Sequence, residues 1–319
     1  MGIQVIKPGL QTTIQDLGRI RNRHFGIPLS GSFDYFSAAK ANAILGKKIN
    51  SSVLECTMIG PSLKSLIDME ICITGAIANQ ILIDDKLVEQ NQVIFFEKGS
   101  LLSIGGAIKN LRFYISFSKD IQATDFLGSV STYLPAKLGG IDGLPMQKGQ
   151  IINFKERRPS VIEYHLNEEF NNEIETSCIR VLKGPEFNLL SKESQTIENF
   201  NFYVSNDSDR MGIRTTGDSL TIDDRGQMVS KPIYPGSVQC PKDGLPIILG
   251  ADAQTLGGYP RILHVIKADR HLIGQLRPDQ DFRFKLKNII KNKDKKNLKI
   301  IKNNYIFNTI NSKNTKIFQ

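Results

Sequence analysis

Up to about residue 284 the chain reads as short runs of β-branched and aromatic residues, interrupted every few positions by Gly, Pro, Asn or Asp. The segments "MEICITG" (69–75), "NQILIDDKLV" (79–88), "NQVIFFEKGSLLSIG" (91–105) and "NLRFYISF" (110–117) have strand composition, and Asp84 and Asp85 fall where a hairpin would turn. Helical spacing is scarce. The best stretch is 33–45, "FDYFSAAKANAIL", with Ser32 or Asp34 as its cap, alanines along its length and Gly46 at its end. Shorter candidates lie at 186–194 and from Asp269 towards Pro278. The pattern predicts a mainly β protein with a few short helices.

A charged, turn-rich passage, 155–176 ("KERRPSVIEYHLNEEFNNEIET"), separates two strand-rich halves, so lobes at 1–157 and 175–284 are expected. Gly60-Pro61 and Gly184-Pro185 follow apolar stretches in the two halves, a weak sign of duplication. Residues 285–319 are Lys/Asn-rich and read as a solvated tail. This tail changes the meaning of the net charge of +9: it holds ten Lys and one acid, so the body is neutral and no nucleic-acid-binding face is expected. The start, "MGIQVIKPG", lacks a basic-then-apolar leader and no run is long enough to span a bilayer, so a cytoplasmic location without membrane contact is expected. Cys56, Cys72, Cys178 and Cys240 are far apart and read as small buried hydrophobes; neither a disulfide framework nor a metal site is expected.

Several site types are missing. Gly46-Lys47 lacks the upstream glycine and the Ser or Thr of a phosphate loop, and there is no G-x-S-x-G elbow or H-E-x-x-H helix. His24 and His264 read as structural. What stands out is a set of glycine-rich polar clusters: "PGLQTTIQDLGR" (8–19) with "FGIPLSGSFD" (25–34), "SDRMGIR" (208–214), and "PGSVQCPKDGLPIILGADAQTLGGYPRI" (235–262). Glycines let backbone approach a ligand closely, while Gln, Asp, Arg and Thr supply directed donors and acceptors, a combination suited to a small planar amide or carboxylate. Arg19, Arg210 and Arg261, one per cluster, are candidates to grip a carboxylate or phosphate.

These clusters resemble the KipA family, also called the allophanate hydrolase subunit 2-like or biotin-dependent carboxyltransferase family. Its opening pattern P-G-x-x-T-T-x-Q-D-x-G-R is met by residues 8–19, and G-x-P-x-S-G-x-x-D by Gly26, Pro28, Ser30, Gly31 and Asp34. Asn42, Leu54-Glu55, Gly60-Pro61, "LGSVSTYL" (127–134), "SDRMGIR" and 236–261 follow in order. The resemblance implies two cyclophilin-like β-barrel lobes and work in a complex with a KipI-like protein and a LamB/YcsF-like protein. The implied activity is that of the C component of an ATP-dependent 5-oxoprolinase, converting 5-oxo-L-proline to L-glutamate with ATP as co-substrate; the KipI-like and LamB/YcsF-like proteins are its B and A components, and the chain is expected to be inactive alone. Two alternatives stay open: the carboxyltransferase component of a biotin-dependent urea or amide carboxylase, or a regulator that binds a KipI-like kinase inhibitor. Covalent biotin is not expected here, because no Met-Lys-Met occurs.

For a lactam substrate the candidates are Arg210 and Arg261 for anionic groups, Asp252 for the ring N–H, and Gln254, Thr255 and Tyr259 as orienting groups. Gly257 and Gly258 would give close backbone approach, with Arg19, Ser30, Asp34 and Gln239 as further substrate-binding residues. The chain departs from the family pattern at Ser118-Lys119-Asp120, where relatives carry Gly-Gly, and at Val130 and Leu144, where they carry arginines.

Overall fold

The computed structural model describes residues 2–155, 164–165, 174–222, 228–288 and 308–309. Most of the 155–176 passage and nearly all of the 285–319 tail lie outside the described residues.

Strands of the first half form two antiparallel sheets. Seven pair in the order Asp120–Ile121, Ile151–Lys155, Gly2–Lys7, Ser62–Ser65, Leu101–Ile104, Ile81–Ile83 and Lys86–Leu87; five pair as Gln11–Gln15, Val53–Thr57, Ala107–Phe117, Met69–Ala78 and Ile94–Phe96. Both contribute to one core, with Ile3, Val5, Leu63 and Leu102 from the first sheet meeting Leu54, Ile73, Phe113, Ile115 and Phe117 from the second. The segment "NLRFYISF" is apolar almost throughout because both its faces are covered. Phe113, Ile115 and Phe117 enter the core. On the other face Tyr114 packs with Ala38 and Val53, and Ser116 donates to Asn42 Oδ1 at 2.6 Å. Ala38 and Asn42 belong to helix α1, Tyr35–Ile44. Asp34 caps it by accepting from Phe36 N and Ser37 N at 3.0 and 2.9 Å. The expected hairpin is present, and Asp84 and Asp85 have φ of 48° and 64°, the left-handed pair that a tight two-residue turn requires.

Strands of the second half close into a seven-stranded barrel, in the order Cys178–Lys183, Arg261–Val265, Ser237–Gln239, Ile247–Leu249, Gly212–Gly217, Phe202–Val204 and Asp281–Leu286. The last strand completes the ring by pairing parallel with the first. The barrel is filled by Ile179, Val181, Ile213, Val238, Ile248, Leu263, Phe282 and Phe284. The other two helix expectations shrink to a 3-10 turn at Phe187–Leu189 and to the turn Lys267–Asp269 running into the short helix Arg270–Ile273. Gly274 ends that helix where a Cβ would lie 2.8 Å from Phe33 backbone.

Phe33, from the first half, joins the barrel core. Gln275, fully buried in the second half, accepts from Leu111 N and Arg112 N and donates to Asp34 Oδ2 and Arg112 O. The two halves therefore share a packed seam. Cys56, Cys72 and Cys240 are buried, and burial pushes their thiols up to about 12; Cys178, expected inside, is exposed as the first residue of its strand. Among the described residues no helix is long and apolar enough to cross a membrane.

Candidate functional site

The first glycine clusters build a crossing of two chain segments. Arg19 N donates to Leu29 O at 2.7 Å and Ser32 N to Asp16 O at 2.8 Å. Gly18 and Gly31 face each other there with φ of 85° and 86°; a Cβ on Gly18 would lie 2.5 Å from Leu29 O, so side chains are excluded. Asp16 fastens the 129–131 segment to this crossing by accepting from Gly18 N, Ser129 Oγ, Val130 N and Ser131 Oγ. Because the bond at Val130 uses its backbone, the departure from the family pattern at that position leaves the contact intact.

Across the seam Arg210 lies 6 % exposed against two carboxylates, one from each half. Its Nη1 donates to Glu55 Oε1; its Nε and Nη2 donate to Asp252 at 2.8 and 3.1 Å; Nη2 also donates to Gly31 O at 2.7 Å. Glu55 accepts in addition from Phe33 N at 2.7 Å and Tyr114 OH at 2.8 Å, with Arg112 Nε at 3.6 Å. Burial alone would raise the Glu55 carboxyl, but Arg210, Arg112 and those two hydrogen bonds outweigh it and hold it below the usual carboxylate range. Burial likewise acts to lower the Arg210 guanidinium, and Asp252 with Glu55 reverses the sign. The Phe33 ring lies between two cations, 4.6 Å from the Arg112 guanidinium and 5.9 Å from that of Arg210. Arg210 and Asp252 are thus brought together, deep in the seam. Gly250 makes this possible, since a Cβ there would lie 2.3 Å from Arg210 O.

The other candidates distribute around this centre. Arg261 forks onto Glu186 with Nε and Nη2, both at 2.8 Å, and Lys231 adds a third cationic contact at 3.0 Å. Those bonds, led by the one from Arg261, pull the Glu186 carboxyl down to about 2. Gln239 is buried and donates to Tyr259 O, with a Cβ on Gly257 only 2.7 Å from its amide nitrogen. It supports the 256–259 backbone from beneath. Gln254, Gly258 and Tyr259 are exposed, and Thr255 is half-buried and accepts from Ile233 N through its carbonyl. Arg23 ties this outer segment to the first half by donating to Ile233 O and Gln254 O. Asp34 is committed to the helix cap and to Gln275. Ser30 takes a left-handed φ of 56°, donates its N–H to Ala251 O at 3.0 Å and keeps a buried hydroxyl without a partner.

Arg19 is wholly buried and bonds through Nη2 to Ser131 O. Asp252 contributes to its electrostatic surroundings and to those of Tyr133, whose phenol is raised by burial and then by that carboxylate. The arrangement combines guanidinium donors with a carboxylate whose orientation is set by a second guanidinium. That is the equipment for holding a group with an N–H on one side and an anionic oxygen on another. Among the described residues no group of three or more His, Cys, Asp or Glu is gathered for a metal.

Residues 25–286, which include the seam and the whole barrel, match the family described as carboxyltransferase domain, subdomain A and B. The chain belongs to that family. It is 33 % identical to the 5-oxoprolinase C subunit of Haemophilus influenzae over 285 residues and 30 % identical to the 5-oxoprolinase C subunit of Escherichia coli over 284; each alignment covers 88 % of this chain and 90 % of the relative. Among solved structures it superposes on the Kluyveromyces lactis urea amidolyase with a TM-score of 0.82 at 25 % identity, over 89 % of this chain and 18 % of that one. TTHA0988 superposes with a TM-score of 0.78 at 27 % identity, and this chain spans about half of its length, 55 %.

Glu55, Arg112, Tyr114, Gln275 and Glu186 complete the hydrogen-bond network around the candidate residues and were not among those expected. A signal existed for two of them. Glu55 in "VLEC" and Arg112 in "NLRFYISF" are charges inside otherwise apolar strands, which demand a buried partner. At the departure Ser118-Lys119-Asp120, fully buried Lys47 donates to the backbone oxygens of Phe117 and Lys119, and the Asp120 carboxylate pairs with it at 3.2 Å, a contact that a glycine there would not make.

Proposed function

We propose that this chain is the C component of an ATP-dependent 5-oxoprolinase, converting 5-oxo-L-proline to L-glutamate together with a KipI-like B component and a LamB/YcsF-like A component. The observation that carries this reading is the identity to two 5-oxoprolinase C subunits across nine-tenths of their length. A lactam carbon is a weak electrophile. Transfer of the γ-phosphoryl group of ATP to the lactam oxygen would release ADP and make the ring carbon electrophilic; one water then adds to that carbon and the ring C–N bond opens with the nitrogen taking a proton, leaving γ-glutamyl phosphate, and a second water hydrolyses this acyl phosphate to L-glutamate and phosphate. Asp252, oriented by Arg210, would accept the ring N–H, and a donor facing the lactam oxygen would oppose the charge developing there, where loss of one such donor typically costs ~3 kcal/mol. Gln254 and Tyr259 stand on an open surface, so we expect another component of the complex to enclose the substrate and the isolated chain to be inactive. The test is ATP-dependent glutamate release by the three co-expressed proteins, with omission of this chain as control. Release that persists without it sinks the proposal.

A second reading, a carboxyltransferase acting on urea or another amide, is favoured by the superposition on the urea amidolyase. It requires biotin on another chain. Inhibition by avidin would select it over the first.

A further inference from the structure

Of the three candidate arginines, two are already neutralised in the folded chain: Arg210 by Glu55 and Asp252, and Arg261 by Glu186. Arg19 is not. Its side chain is 0 % exposed and makes one hydrogen bond, from Nη2 to Ser131 O at 2.5 Å, beneath the Phe126 ring at 5.6 Å. Its Nε and Nη1 are buried without any partner, and among the described residues no carboxylate reaches ion-pair distance. The neighbouring acids are occupied elsewhere. Asp16 accepts from Gly18 N, Ser129 Oγ, Val130 N and Ser131 Oγ, and Asp252 is held on Arg210. Asp16, Asp252 and Asp125, the last accepting from Gly128 N, act on Arg19 only from a distance, and burial outweighs all three and lowers its pKa; a desolvated cation with no direct ion-pair partner is costly in a core.

The backbone packs closely on the hydrogen-bonded side of this guanidinium and supplies no acceptor to Nε or Nη1. A Cβ on Gly139 would sit 2.6 Å from Nη2, and Gly139 holds a left-handed φ of 67°. The same crossing leaves the buried Ser30 hydroxyl without a partner. The turn that carries Phe126 also lines, through Leu127 and Gly128, a surface cleft of about 280 Å³ shared with Asp16, Gly18 and Asn50, so the cover over Arg19 borders open space.

We propose that Arg19 is the receptor for a carboxylate on the ligand, and that it selects a lactam bearing a carboxylate over a neutral amide. This rests on the 5-oxoprolinase reading for the identity of the ligand, but the receptor itself stands on the unmatched guanidinium. Its consequence is a division of labour: Arg210 orients Asp252, Arg261 holds the barrel wall, and Arg19 reads the charge of the substrate.

The experiment compares binding of 5-oxo-L-proline with that of 2-pyrrolidinone, the same ring without the carboxylate, to the full chain alone and in its co-expressed complex, by calorimetry and by the shift in melting temperature. Wild type should prefer 5-oxoproline by roughly 10–100-fold, the ratio expected of a charge-assisted hydrogen bond made in a buried site. Arg19→Gln should reduce that ratio to near one, and Arg19→Lys should restore part of it. The unliganded Arg19→Gln protein should melt no lower than wild type, because it loses an uncompensated charge. No carboxylate preference in wild type, measured without any substitution, overturns the proposal. So does an Arg19→Gln variant that keeps the preference, or one that melts lower with its preference intact, the behaviour of a residue satisfied by a buried water alone. A complex that fails to turn over 5-oxoproline yet prefers the carboxylate ligand would reject the oxoprolinase reading and keep the receptor.

Discussion

The charges in the seam differ in how well they are matched, and this decides what each substitution does. Glu55 has Arg210, Arg112, Tyr114 and Phe33 N around it. Glu55→Ala would leave two buried guanidinium groups under-compensated, and breaking such a pair from one side typically costs about 3–5 kcal/mol. A reduced urea midpoint at unchanged slope is the expected observation. Asp252→Asn keeps the shape but removes the charge that Arg210 orients; turnover by the complex should fall by at least tenfold while the two-half assembly persists. His264 provides a pH test outside the site. Burial, helped by Arg270, depresses its pKa from 6.5 to about 4, and Arg270 Nη2 lies 2.8 Å from its Nε2. A depressed folded-state pKa means the neutral form is the one that folds. Stability is then full above pH 6.5 and declines as the pH falls towards 4. His264→Gln should flatten melting temperature across that window, and an unchanged slope would reject the assignment.

Among the elements, those controlled by local chemistry are readable from the sequence. The hairpin at Asp84-Asp85 and helix α1 with its Asp34 cap follow from turn and cap preferences that need no knowledge of the rest of the molecule. The stretches at 186–194 and 269–278 have the composition of longer helices than they form, because tertiary contacts interrupt them: Gly274 must stop against Phe33, and Glu186 is drawn to Arg261. The clusters mark where the polar network of the seam gathers, yet their internal division is not legible. Segment 250–262 is buried through Ala253, largely exposed from Gln254 to Tyr259 and buried again at Ile262, a distinction set by which part faces the seam. Asp34→Ala should cost about 1 kcal/mol as a cap, and more here because Gln275 also loses an acceptor. Gly18→Ala should be worse than the cap variant, since it combines a φ of 85° with a Cβ 2.5 Å from Leu29 O. Comparing the two melting temperatures checks the order.

For the molecule as a whole, pairing across the seam is the one feature that neither half's residues announce alone. Phe33 completes a core otherwise drawn from Ile179 to Phe284, and Gln275 stitches to 111, 112 and 34. Family resemblance in the motifs points to a polar cleft. The residue pattern by itself does not show that Arg210 and Arg261 are consumed by Glu55, Asp252 and Glu186, because those partners lie far away in sequence.

Glu55 and Arg210 are separated by 155 residues. At a synthesis rate of roughly 5–20 residues per second, the strand bearing Glu55 leaves the ribosome on the order of eight to thirty seconds before its counter-ion exists. During that interval Arg112 is the cation that can meet it, and Phe33 has no barrel to enter. The nascent first half therefore carries an exposed aromatic and a half-matched acid through most of translation. Chains arrested before residue 205 should be digested by protease at the 25–34 segment, and chains long enough to present Leu286 beyond the exit tunnel should be protected there.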